Sequence, residues 1–70
     1  MKENVLNNIR EYRQRANLTQ EELAQEVRVS RQSIISIEKG HYIPSLPLAL
    51  RFTRLFNCPT NKLFSLIEEG

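Results

Sequence analysis

The sequence has few of the residues that build disulfides, metal sites and catalytic centres. Its 70 residues include one cysteine, one histidine, two glycines and no tryptophan. With Cys58 alone, no disulfide can form within the chain, and a lone thiol is typical of a reducing compartment. No cysteine and histidine residues have zinc-ligand spacing, and no glycine-rich phosphate loop is present. We therefore expect no metal, no cofactor and no enzyme activity.

Long hydrophobic runs are also missing. No apolar stretch approaches the roughly 18 residues of a membrane span, and the polar residues 1–4 lack the apolar core of a signal peptide. We expect a cytoplasmic protein without a membrane partner. Seventy residues make a single domain, spanning 1–70 with a core over about 6–67, close to the smallest size that folds alone. Helix packing must supply that core, and dimerisation would extend it.

The net charge of +2 says little about partners, but its distribution is informative. Residues 19–27 carry three glutamates and no base, whereas residues 28–41 carry two arginines, a lysine and a histidine against one glutamate. An acidic segment beside a basic one predicts that only the basic segment faces a polyanion.

Apolar periodicity predicts five short helices, over about residues 4–15, 19–27, 31–39, 45–56 and 59–67, and no strand. Thr19 begins a capping box with Glu22, and Ser30 and Ser45 are good N-caps. Gly40 can end the third helix in a left-handed conformation. The apolar surface of the fourth helix is expected from Leu46, Leu50, Phe52, Leu55 and Phe56. The predicted fold is an all-α bundle.

The second and third predicted helices are joined by a turn of about three residues, which forces a steep crossing and leaves the third helix projecting. Its outward face carries Gln32, Ser36 and Lys39. Glutamine pairs with adenine in the major groove, and serine contacts several bases. Arg31 can reach guanine or a phosphate. The alternative is an ordinary solvated face. Ile35, at its edge, packs under the loop near Tyr42 or touches a thymine methyl group.

Two further features concern the neighbouring helices. Thr19 caps the second helix, where exposed amide groups and Gln20 can hold a phosphate. Arg13 and Glu38 each lie on the apolar stripe of their own helix, where an unpaired ion is costly. We therefore expect these two side chains to pair, joining the first helix to the end of the third.

Four segments resemble the Cro/C1-type, or XRE, helix-turn-helix family: LTQEELA at 18–24, VSRQSI at 29–34, IEKG at 37–40 and PSL at 44–46. The resemblance covers about residues 6–64. It implies a lambda-repressor-like five-helix bundle with a recognition helix in the DNA major groove, and an Arg–Glu bridge between Arg13 and Glu38. The residues expected to contact bases are Arg31, Gln32, Ser36 and Ser33. Those expected to contact phosphates are Thr19, Gln20, Arg28, Lys39, His41 and Tyr42.

Two positions depart from the family pattern. Family members often have glycine in the turn where Arg28 stands, so Arg28 is expected to adopt a left-handed conformation at a cost of about 1 kcal/mol. Its side chain then contacts a phosphate or is solvated. Many members have a small polar residue in place of Ile35, so the family's target sequence does not transfer.

We expect a transcriptional repressor that binds a near-palindromic operator on the double-stranded DNA of the nucleoid. A homodimer is expected because one small module buries too little surface for tight specific binding, and two half-sites remedy this. The dimer contact is expected at Asn57, Pro59, Leu66 and Ile67; alternatively Leu66 and Ile67 only close the monomer core. A second hypothesis is an antitoxin-like module that neutralises a protein and represses its own operon. Because the sequence extends only about three residues past Ile67, we favour the repressor and expect no small-molecule effector.

Overall fold

Five helices are framed by two terminal strands. The computed structural model describes the backbone of residues 2–69 and the side chains of residues 5–67. Strand β1 (Lys2–Asn7) leads into α1 (Ile9–Arg15), α2 (Gln20–Val27) and α3 (Arg31–Glu38). They are followed by α4 (Leu46–Phe56), α5 (Thr60–Leu63) and strand β2 (Phe64–Glu69).

The two strands pair antiparallel and form a ribbon, with Val5 opposite Leu66 and Asn7 opposite Phe64. The prediction of a purely all-α fold is therefore wrong, and so are the predicted helical spans 4–8 and 64–67. Leu6, within the predicted first helix, lies in β1 and is 54% exposed. The strands are at opposite ends of the sequence, and a strand of this kind is stabilised by its partner rather than by local preference.

Side-chain caps set the starts of three helices. In the capping box of α2, the Thr19 hydroxyl accepts from the Glu22 amide at 3.0 Å, and the Glu22 carboxylate accepts from the Thr19 amide at 2.8 Å. Ser30 accepts from the amide three residues later at 3.1 Å, and Ser45 does the same at 3.3 Å. Each cap satisfies an amide that has no partner within its helix. After α3, Gly40 has a φ of +79°, which glycine adopts without strain.

The core lies between the helices and includes residues from all five of them. Its buried members are Ile9, Leu23, Ala24, Val27, Ile34, Ile37, Leu48, Phe52 and Leu63. On α4 the buried side is formed by Leu48, Ala49 and Phe52. The apolar residues Leu46 and Leu50 lie on its exposed side, 70% and 51% exposed. The core therefore leaves one side of α4 apolar and uncovered in the monomer.

Two asparagines attach the ribbon to the helices. The Asn7 side chain donates to the Ile37 carbonyl at 2.9 Å and accepts from the Ile9 amide at 3.1 Å. The next residue, Asn8, donates from its backbone to the Leu63 carbonyl at 2.8 Å. Its side chain donates to the Lys62 carbonyl at 3.0 Å. The base of the ribbon is thereby joined to the ends of α3 and α5.

Candidate functional site

Helices α2 and α3 are joined by a tight turn at residues 28–30. Arg28 ends α2 in the left-handed region, with φ 63° and ψ 46°, and its amide donates to the Ala24 and Gln25 carbonyls. Ser30 then caps α3. Since Leu23 and Ile34 are buried in the same core cluster, the two helices pack on their apolar sides and leave the polar side of α3 outside.

An open cleft of about 290 Å³ runs along that polar side of α3. Its lining residues are Ser30, Gln32, Ser33, Ser36, His41 and Tyr42. Three residues expected to contact bases, Gln32, Ser33 and Ser36, thus lie together. His41 and Tyr42, from the loop after Gly40, join them in the same cleft. The fourth, Arg31, is exposed in the first turn of α3 and does not line the cleft. The Ser33 hydroxyl lies 3.1 Å from that of Ser30, so it is partly engaged by the cap.

A second open cleft, of about 480 Å³, lies where α1, the start of α2 and the end of α3 meet. It is lined by Arg10, Arg13, Thr19, Gln20, Ile35, Glu38 and Lys39. Three residues expected to contact phosphates therefore share one cleft. Arg10 was missed, although its position one helical turn before Arg13 could have indicated it. Ile35 is half-buried here, whereas Tyr42 lines the first cleft.

An ion pair forms the inner wall of the second cleft. The Arg13 Nε lies 2.7 Å from Glu38 Oε2, and the two side chains are only 13% and 4% exposed. Arg13 Nη1 also donates to the Leu18 carbonyl at 2.9 Å. Gln20 Nε2 donates to Glu38 Oε1 at 3.2 Å. The Gln20 amide is therefore held in place by the same carboxylate, with its oxygen and one N–H left for another partner.

Arg28 does not share either cleft with the other predicted residues. Its side chain is exposed and lines a third cleft together with Glu26, Arg51, Arg54 and Leu55. The left-handed conformation expected of Arg28 is present. Arg28 lines this cleft with two arginines of α4, Arg51 and Arg54, that no sequence motif indicates.

The residues expected at a dimer contact are dispersed. Asn57, with φ 51°, and Pro59 are exposed in the turn between α4 and α5. Leu66 and Ile67 lie in β2 rather than in a helix and are 61% and 40% exposed, so neither closes the monomer core. Because successive residues of a strand face opposite sides, these two cannot both lie in one flat contact.

Neither a metal-binding cluster nor a membrane-spanning helix occurs in the described part of the chain. No cluster of histidine, cysteine, aspartate and glutamate among the described residues has the composition to hold a metal ion. None of the helices described is long and apolar enough to pass through a lipid bilayer. Open clefts surround two short helices that are joined by a tight turn, and this arrangement defines a helix-turn-helix protein.

Comparison with known proteins gives the family. A family model described as helix-turn-helix matches residues 9–63, and the chain belongs to the Cro/C1-type helix-turn-helix family, as the resemblance of its motifs predicted. A relative from Methanothermobacter thermautotrophicus is 51% identical over 63 residues, covering 89% of this chain and 91% of that protein. One from Archaeoglobus fulgidus is 48% identical over 61 residues, covering 87% and 86%. Bacillus subtilis YgzD is 43% identical over 64 residues, covering 91% and 97%.

All three relatives carry the name of uncharacterized HTH-type transcriptional regulators. Among solved structures, the transcriptional regulator VanUg superposes with a TM-score of 0.76 at 20% identity. The superposition covers 99% of this chain and 92% of that one. The likeness extends over the helices and the terminal strands together, and it concerns the fold.

Proposed function

We propose that the protein is a sequence-specific double-stranded DNA-binding transcriptional repressor that places α3 in the major groove as a homodimer. One observation carries the proposal: Gln32, Ser33 and Ser36 line a single open cleft on the exposed side of α3. A major groove admits a helix, and its base edges present the donors and acceptors that amide and hydroxyl groups recognise. The relatives named as transcriptional regulators support the same function.

The proposed base contacts come from side chains with different lengths and different hydrogen-bonding groups. Gln32 offers a donor and an acceptor from one planar amide, which suits adenine N6 and N7. Ser36 and Ser33 offer hydroxyls that hydrogen-bond to several bases. Arg31, exposed in the first turn of α3, extends to guanine or to the adjacent backbone.

The side of α3 that carries Gln32, Ser33 and Ser36 is called the reading face here. Phosphate contacts flank it on two sides. In the cleft at the start of α2, Thr19, Gln20 and Lys39 meet an anion together with Arg10, and the helix dipole of α2 adds to the attraction. His41 and Tyr42 contact the backbone from the loop after α3. Because the Glu38 carboxylate holds the Gln20 amide, that contact is oriented before DNA arrives.

We place the dimer contact on the exposed side of α4. Leu46, Leu50, Thr53 and Asn57 follow one another at helical spacing of four, three and four residues and so share a face. Two α4 helices packed antiparallel about a two-fold axis bring the Leu46 end of one copy to the Asn57 and Pro59 end of the other. We choose a second copy of the chain as the partner of this surface. A two-fold contact relates the two α3 helices by the symmetry that a near-palindromic operator has.

Selection of bound duplexes from a random DNA library tests the function. The parent protein and an Arg31→Ala/Gln32→Ala variant are selected in parallel at near-physiological salt. The matched control is Arg15→Ala/Gln14→Ala, which removes the same two residue types from exposed positions of α1. We expect a two-fold symmetric motif with the parent and the control, and its loss with the α3 variant. Failure of the parent to enrich any motif would overturn the proposal and direct attention to a protein partner.

A further inference from the structure

Three arginines line one cleft beside the C-terminal end of α2. The cleft has a volume of about 360 Å³, and its lining residues are Glu26, Arg28, Arg51, Arg54 and Leu55. It shares no residue with the clefts on α3 and at the start of α2. Three positive side chains thus face one negative side chain at a place that the proposed DNA contacts of α3 do not use.

One arginine side chain is held by the C-terminal end of α2, and a second arginine follows that helix directly. Arg51 Nη1 donates to the Val27 carbonyl at 3.1 Å, which places its guanidinium at the carbonyl end of the helix. A guanidinium has five N–H donors, so most of those on Arg51 stay available. Arg28 follows Val27 directly, and its left-handed backbone is fixed by the hydrogen bonds of its amide to Ala24 and Gln25.

The conformation of Arg28 is costly for its residue type. A residue with a Cβ is strained in the left-handed region, which glycine adopts freely. Strain of this kind is a reason to look for a role of the side chain. Here the strained residue is an arginine that lines the same cleft as Arg51 and Arg54.

The single glutamate of the cleft does not balance its three arginines. Among residues 5–67, whose side chains are described, the ion pairs join Arg13 to Glu38 and Arg15 to Glu11, and neither involves the three arginines. Guanidinium groups form paired hydrogen bonds with phosphate and carboxylate oxygens. Inorganic phosphate and phosphomonoesters have more acceptor oxygens and more charge than a carboxylate. A phosphodiester has a single negative charge, and its two non-bridging oxygens accept paired hydrogen bonds from a guanidinium group.

We propose that Arg28, Arg51 and Arg54 form a phosphate-binding site. The group is a phosphodiester of DNA flanking the segment read by α3 or the phosphate of a small free ligand, since the chemistry of recognition is the same. The free-ligand source does not depend on the proposed function, whereas the DNA source rests on it.

The first arm of the test contains no DNA. Inorganic phosphate is titrated into the full chain at constant ionic strength, balanced with chloride, while the arginine side-chain N–H signals are followed by NMR. We expect saturable shifts at Arg28, Arg51 and Arg54, abolished in Arg28→Gln/Arg54→Gln. Arg51 is left intact because it holds the end of α2. The control is Arg15→Gln/Lys62→Gln, which removes two positive charges elsewhere and should keep the shifts.

The second arm measures the salt dependence of binding to a random-sequence duplex. Each lost phosphate contact lowers the slope of log K against log salt by about 0.9. If DNA supplies the phosphate, Arg28→Gln/Arg54→Gln lowers the slope by about one to two units and the control does not. Saturable phosphate binding with an unchanged slope identifies a free ligand instead. Absence of both effects overturns the site, and this result is independent of whether α3 reads a DNA sequence.

Discussion

Arg13 and Glu38 join two distant helices through a bidentate contact, with Nε to Oε2 at 2.7 Å and Nη2 to Oε1 at 3.3 Å. Arg13 belongs to α1 and Glu38 is the last residue of α3. Gln20 at the start of α2 donates to the same carboxylate. One buried carboxylate therefore positions three helices, including the two of the helix-turn-helix. This role is structural and leaves the exposed polar side of α3 free.

Arg13→Met should lower the free energy of unfolding by about 3 kcal/mol, because it leaves the Glu38 carboxylate buried without its counter-charge. Urea denaturation measures this loss. The double variant Arg13→Met/Glu38→Leu should lose less than the sum of the two single variants, since no isolated charge remains. Arg15→Met is the control, because the Arg15–Glu11 pair is 64% and 54% exposed, and its loss should stay within about 0.5 kcal/mol. An equally small loss for Arg13→Met would contradict the structural role.

Arg28→Gly should be more stable than Arg28→Ala by about 1 kcal/mol, because only the alanine keeps a Cβ in the left-handed region. The comparison removes the guanidinium from both variants and therefore isolates the backbone effect. Midpoints of chemical denaturation measured at the same pH and salt give the difference. Equal stabilities would mean that the turn can rearrange to a conformation that any residue adopts.

Gln32→Ala should weaken binding to the preferred duplex by about 1–3 kcal/mol and relax selection at one base position. Gln20→Ala should weaken binding to preferred and random duplexes alike. It should also lower the free energy of unfolding by about 1 kcal/mol, because its hydrogen bond to Glu38 is lost. Fluorescence anisotropy with both duplexes separates the two behaviours, with exposed Gln14→Ala as the control. Equal losses on both duplexes for Gln32→Ala would rule out base reading by this residue.

If the proposed homodimer forms through α4, Leu46→Ser/Leu50→Ser should convert it into a monomer without unfolding it, since both side chains lie on the uncovered side of α4. Sedimentation velocity over a concentration series measures the change, and circular dichroism checks the helices. Leu66→Ser/Ile67→Ser is the matched control from the ribbon and should remain dimeric. The opposite outcome, with only the ribbon variant monomeric, would move the dimer contact to β2.

Much of the helical part of the fold follows from local sequence. The capping box at Thr19 and Glu22, the cap at Ser30 and the short break after Val27 predict α2, α3 and the turn between them. The polar side of α3 follows from helical periodicity, because Ile34 and Ile37 occupy the buried side and Gln32 and Ser36 the other. The pairing of Arg13 with Glu38 was expected on the same grounds, since each charge lies on an apolar stripe.

The terminal segments were decided by tertiary structure. Residues 4–7 and 64–67 have apolar residues that suit a helix or a strand, and their partners are at the other end of the chain. They become strands because Asn7 and Asn8 attach to α3 and α5 and bring the two ends of the chain side by side. There the backbone N–H and C=O groups of one strand hydrogen-bond with those of the other. The exposure of Leu46 and Leu50 is likewise a property of packing, since periodicity gives the faces of α4 but not which neighbours cover them. The sequence by itself determined the helix-turn-helix and the polar side of α3 through local caps and periodicity. Tertiary structure alone decided the ribbon, the uncovered side of α4 and the grouping of Arg28 with Arg51 and Arg54, because each depends on contacts between residues distant in the chain.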